Sequence, residues 1–131
     1  MPARPVLVDS SFYIGRMRAG RDPFHEMREW GTDREFAICG VVRCEVARGI
    51  INPKLLAVFR KAWSVMLNVP TDNRIWNDVE DLAWKLARSG KHPPLSDLVI
   101  ACCALRIEAV VLTLDAHFRD VPNLMVTDHL L

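Results

Sequence analysis

Long hydrophobic runs are missing from this chain. The longest unbroken apolar stretch, residues 98–105, is far short of the ~18 residues that a membrane-spanning helix needs. The apolar run after Pro5 is also too short for a signal peptide, so none is expected at the start. Low-complexity tracts, internal repeats and glycine- or serine-rich linkers are absent too. A chain of 131 residues without them is expected to fold as a single domain, residues 1–131, with room for a real core. The four cysteines give neither a disulfide framework nor a zinc site. Cys39, Cys44, Cys102 and Cys103 all lie in apolar runs, where a thiol behaves as a small hydrophobe, and no C-x2-C pair occurs. The expected compartment is a reducing cytoplasm.

Strong charge of one sign is lacking as well. The net charge is +1, so there is no global basic signature for nucleic acid. The balance hides an asymmetry: residues 1–66 carry 11 basic and 7 acidic side chains, residues 67–131 carry 6 and 9. Arginine supplies 13 of the 17 basic groups, a bias suited to bidentate grip on phosphate or carboxylate. No G-x-S-x-G stretch exists, which removes the serine-hydrolase elbow. "SGKH" at 89–92 is similar to the tail of a phosphate-binding loop, but the upstream glycine and the leading strand are missing.

What is present alternates between strand and helix. Val6–Asp9, Phe36–Cys39, Leu67–Val69, Ala109–Leu114 and Leu124–Thr127 read as strands. Between them the apolar residues recur at helical spacing. Asp22-Pro23 and Asn52-Pro53 are good helix starts, and Gly31 and Gly90 are good stops. The segment 72–89 is the clearest amphipathic helix, whereas 95–108 is apolar nearly all round and so reads as buried. Tryptophans 30, 63, 76 and 84 fall on helical stripes and read as core or interface. This alternation implies an α/β fold, three layers (α/β/α) around a mainly parallel central sheet.

Four carboxylates stand in unexpected places. Asp9 and Asp115 end the two most hydrophobic strands, where ligands bind in open parallel sheets. Each is also a favoured helix cap. Asp97 opens the buried helix, and an acid there is costly unless paired or metal-bound, although the helix dipole helps a first-turn Asp. Glu45 shares a helical face with Val41, Val42 and Gly49; alternatively it faces solvent and pairs with Arg48. Gathering all four within ~4 Å would cost roughly 4 kcal/mol per charge pair at an effective dielectric near 20. A divalent cation removes that repulsion. An all-carboxylate donor set favours Mg²⁺ or Mn²⁺ over Zn²⁺. Such a cluster suits the activation of water against a phosphodiester. Arg16, Arg18 and Arg21 follow Asp9 closely; they either grip RNA phosphates or line a solvated helix face.

Asp9 in "VLVDSSFYI", Glu45 in "VVRCEVARGI", Asp97 in "LSDLVIACCAL" and Asp115 in "VLTLDAHF" together resemble, in order and spacing, the four acidic motifs of PIN-domain ribonucleases. The length and the run "LARSGKHPPLSDLVIACCAL" look most like the VapC toxins of toxin–antitoxin pairs. The resemblance implies a Mg²⁺- or Mn²⁺-dependent endoribonuclease acting on tRNA, rRNA or mRNA. It also implies a homodimer, inhibited by a small antitoxin that wraps it and often inserts a basic side chain into the acidic site. Carried over by position, Asp9, Glu45, Asp97 and Asp115 would be the catalytic metal cluster. Ser11 and Thr113 match hydroxyl residues beside the first and last acids, as supporting or substrate contacts. The pattern departs from the family at one place: many relatives have an acid two residues after the fourth Asp, and here His117 stands there, with Asp120 out of register. Two other readings compete. One is a catalytically quiet PIN-like module that binds RNA or a protein. The other is a metal-dependent phosphatase, which would need a second acid close after Asp9, where Ser10 and Ser11 stand.

Overall fold

The computed structural model describes residues 3–31 and 33–130. Five short strands, β1 (Val6–Val8), β2 (Phe36–Cys39), β3 (Leu67–Val69), β4 (Val110–Leu112) and β5 (Met125–Thr127), form one sheet in the order β3-β2-β1-β4-β5. Every pairing is parallel. Six α-helices connect them: α1 (Ser10–Arg18), α2 (Pro23–Glu29), α3 (Gly40–Ala47), α4 (Pro53–Ser64), α5 (Asn73–Arg88) and α6 (Leu95–Arg106). A short 3-10 helix, Ala116–Asp120, follows β4. Parallel strands need crossovers, and these turn right-handed. The chain moves outward from β1 to β3, returns across the sheet, and leaves β1 on the other side through β4. That arrangement is the expected three-layer α/β/α fold.

The central strands are apolar without alternation because helices cover both faces. Val6, Leu7 and Val8 are all buried. On one side Tyr13 of α1, Phe24 of α2, and Phe59 and Trp63 of α4 pack as a group, with ring centroids 4.8–6.3 Å apart. On the other side α6 lies against α5, and every residue from Asp97 to Ala104 is buried. This explains why α6 lacks a polar face.

The helix starts follow the local chemistry. Side-chain oxygens of Asp22, Asn52 and Asp72 accept N–H bonds from Phe24, Lys54 and Ile75. Gly90, at a φ of 78°, closes α5 in the left-handed conformation that glycine adopts without strain. Several boundaries differ from the sequence expectation. Helix α3 ends at Ala47, so Gly49 lies beyond it and does not share a face with Glu45. Strand β4 stops at Leu112, although the Thr113 N–H still bonds to the Thr127 carbonyl and the Thr113 hydroxyl reaches Asp9. Trp63 is core, but Trp76 and Trp84 on α5 are about half exposed. No helix among the described residues is long and apolar enough to cross a membrane.

Candidate active site

Strand order reverses at β1, between β2 on one side and β4 on the other, so a crevice opens beyond the carboxyl ends of β1 and β4. Asp9 follows β1 directly, and its N–H still bonds to the Leu112 carbonyl at 2.9 Å. The side chain is therefore held by the sheet, and the residue is only 2 % exposed.

A buried carboxylate needs donors. Ser11 Oγ lies 2.7 Å from Oδ2 of Asp9, and Thr113 Oγ1 lies 2.8 Å from the same oxygen. Each hydroxyl has one proton to give, and each donates it to Asp9. The 3.1 Å contact between the two hydroxyls is then left without a proton of its own. Each also accepts a backbone N–H from the loop after β4: Leu114 to Ser11 at 3.0 Å, and Asp115 to Thr113 at 2.9 Å. The serine and threonine thus fix the loop and Asp9 to each other. Ser10 is 3.0 Å from Oε1 of Glu45 and 3.4 Å from Oδ1 of Asp9. Its single proton serves Glu45 at the shorter distance, which leaves Oδ1 of Asp9 the least engaged oxygen of that carboxylate among the described residues.

Asp97 and Asp115 approach from the other side. Asp97 sits in the first turn of α6 and is buried, whereas Asp115 precedes the 3-10 helix and accepts the His117 N–H at 2.9 Å. His117 Nδ1 lies 3.2 Å from Oδ2 of Asp97 and 3.0 Å from Oδ1 of Asp115. Burial, and then the charges of Asp115 and Asp9, push the Asp97 carboxyl up to about 6, against a smaller opposing pull from His117. A carboxyl pushed up by its neighbours' charge in this way is short of positive charge. One donor atom each from Asp97, Asp115 and His117 all lie within 4.8 Å of one another, a set that fits a divalent ion.

Asp9 therefore lies close enough for its charge to act on Asp97, is tied to the Asp115 loop through Thr113, and is linked to Glu45 through Ser10. Arg16, one of the candidate phosphate contacts, is paired within the chain. Its Nε and Nη2 both bind the Glu26 carboxylate on α2, and its guanidinium stacks 4.5 Å from the Phe12 ring centroid. The pair holds the Glu26 carboxyl below the usual range. Two residues that sequence reasoning left out of the site are Ser10 and His117. The doublet Ser10-Ser11 was a signal for the first, since consecutive residues at a helix start face different neighbours.

Thr113→Val tests this wiring. It removes a proton from Asp9 and an acceptor from Asp115 N–H at nearly constant shape, so it should cost about 1–3 kcal/mol in denaturant unfolding. A change below ~0.5 kcal/mol would show that the hydroxyl is not holding the loop.

The PIN domain profile matches residues 6–124, and the chain belongs to the PIN domain family. Among solved structures, DNA-bound VapBC from Salmonella typhimurium is similar at a TM-score of 0.77, with 21% identity, covering 95% of this chain and 98% of that one. VapBC2 from Rickettsia felis, bound to a DNA fragment from its promoter, gives 0.75 with 16% identity, covering 93% and 96%. VapC20 of Mycobacterium tuberculosis, a sarcin-ricin-loop-cleaving toxin, gives 0.64 with 14% identity, covering 87% and 92%. No curated protein sequence matches this chain.

Proposed function

We propose that this chain, acting as one unit over residues 1–131, is a divalent-metal-dependent endoribonuclease and the toxin of a toxin–antitoxin pair. The observation that carries this reading is a PIN fold in which Asp97, Asp115 and His117 bring one donor atom each within 4.8 Å of one another, with the charge of Asp9 acting on Asp97 and one hydroxyl, Ser10, between Asp9 and Glu45. Asp9, Asp97 and Asp115 would hold Mg²⁺ or Mn²⁺, with Glu45 completing the acidic set. When bound, such an ion lowers the pKa of water and offsets negative charge building on a phosphate. The chain's own residues do the positioning. Ser11 and Thr113 hold Oδ2 of Asp9, which leaves Oδ1 the freer oxygen for an ion. Ser10 orients Glu45, and the half-buried Glu45 would accept a proton from an attacking water.

An antitoxin partner is supported by the VapBC complexes among the structural relatives and by exposed apolar side chains at Ile51, Leu55 and Val58. A homodimer and a cytoplasmic location complete the reading. The decisive test is the purified chain incubated with total RNA. Cleavage should need Mg²⁺ or Mn²⁺, stop with EDTA, and be lost in Asp9→Asn while the circular dichroism spectrum is retained. Binding of RNA with no cut ends under any divalent ion would favour the quiet binding module instead.

A further inference from the structure

We propose that His117 is itself a metal ligand, through Nδ1, and that this nitrogen tilts the site away from Mg²⁺ toward transition-metal dications such as Mn²⁺. The inference rests on the metal-nuclease reading above and adds a donor of a different chemical kind to it. Its basis is spacing. Two neighbouring donors on an octahedral ion, each about 2.1 Å from it, are about 3.0 Å apart. Nδ1 of His117 lies 3.0 Å from Oδ1 of Asp115 and 3.2 Å from Oδ2 of Asp97.

The turn that carries the ring is fixed on both sides. The His117 N–H is bonded to Asp115, and the next residue, Phe118, is 1% exposed in the core. The ring itself stays accessible, with 55% of its side chain exposed, so an ion reaches it from solvent. An imidazole nitrogen is a softer donor than carboxylate or water. Mg²⁺ gains little from it, whereas affinity for nitrogen rises along the transition series that begins with Mn²⁺.

The same spacing also suits an imidazole N–H shared between two carboxylates, with His117 standing in for a cation. The two arrangements predict opposite results. As a ligand, His117 strengthens metal binding; as a resident proton donor, it competes with the metal.

The experiment compares Mn²⁺ and Mg²⁺ titrations of the full chain with those of His117→Ala, His117→Asp and Asp97→Asn. It also records electron spin-echo modulation from ¹⁴N on the bound Mn²⁺. We expect the wild-type chain to show imidazole nitrogen coupling that both His117 variants lose. We expect His117→Ala to weaken Mn²⁺ roughly tenfold and Mg²⁺ less than about threefold, the size seen when one group beside a metal is removed. His117→Asp should restore Mg²⁺ binding without the nitrogen signal. Equal nitrogen coupling in wild type and His117→Ala, equal losses for both ions, or tighter Mn²⁺ binding in His117→Ala would overturn the proposal. If Asp97→Asn weakens both ions while His117→Ala changes neither, the metal site stands and the histidine ligand falls. If the wild-type chain takes up neither ion at millimolar concentration, the metal-nuclease reading falls with it.

Discussion

Asp97→Asn is expected to silence RNA cleavage by at least about a hundredfold and, in the same molecule, to make the metal-free protein more stable at pH 7.5. The two effects share a cause. Asp97 is forced into a buried first turn opposite Asp115 and Asp9, and its carboxyl is pushed up to about 6. An ordinary aspartate titrates near 4, so between roughly pH 4 and pH 6 the folded chain holds a proton that the unfolded chain has already released. Stability therefore falls as pH rises through that window and stays low above it. The whole effect is at most about 3 kcal/mol, reduced by water at the pocket's rim. Asparagine carries no charge and still offers His117 an acceptor. At about 2–4 °C per kcal/mol, the variant should melt several degrees above wild type at pH 7.5 in EDTA. The gap should close below about pH 4, and Mn²⁺ should narrow it at pH 7.5 by stabilising wild type. A variant that melts no higher than wild type at pH 7.5 would mean that Asp97 bears no electrostatic load.

Trp63→Ala should produce the largest loss of stability, about 4 kcal/mol. The side chain is 2% exposed, edge-on to Tyr13 at 6.0 Å and to Phe59 at 5.5 Å between ring centroids. Its buried Nε1–H makes no hydrogen bond of good geometry among the described residues, and interacts only weakly with the nearby Tyr13 hydroxyl, itself without such a bond. That orphan donor makes a second variant informative. Trp63→Phe gives up apolar area but also removes an unsatisfied polar group, so its net cost should stay below about 1.5 kcal/mol. Urea midpoints of the two variants provide the comparison. Similar large losses in both would show that the indole N–H is satisfied in solution. Helix α1, which Trp63 braces through Tyr13, also carries Ser10 and Ser11. Trp63→Ala is therefore expected to impair cleavage from a distance, by loosening the hydroxyls that aim Asp9 and Glu45.

Much of this architecture was legible in the sequence because local signals agreed with the global fold. Uninterrupted apolar strands, helices capped by Asp22, Asn52 and Asp72, and an apolar α6 all pointed to a parallel sheet covered on both faces. Asp9, Asp97 and Asp115 were legible because each broke the pattern around it. The remainder depended on tertiary geometry. Arg16 sits one and a half turns into α1, and only the packing of α2 decides that Glu26 takes its guanidinium. Ser10 reads as a helix start, and nothing in its neighbourhood shows that Glu45, 35 residues away, will accept its proton. The 3-10 helix that presents His117 is too short to leave a periodicity; its place two residues after Asp115 marked the histidine as unusual, but not that its ring would lie between Asp97 and Asp115.

The acids come from widely separated parts of the chain, and the loop bearing the last of them is tied back to Ser11 through the Leu114 amide. A ribosome must therefore have passed Asp115 before that loop can lock onto Ser11. Copies cut short of the loop would carry Asp9, Glu45 and Asp97 without the tether that sets them, and on the proposed function they are expected to cleave nothing.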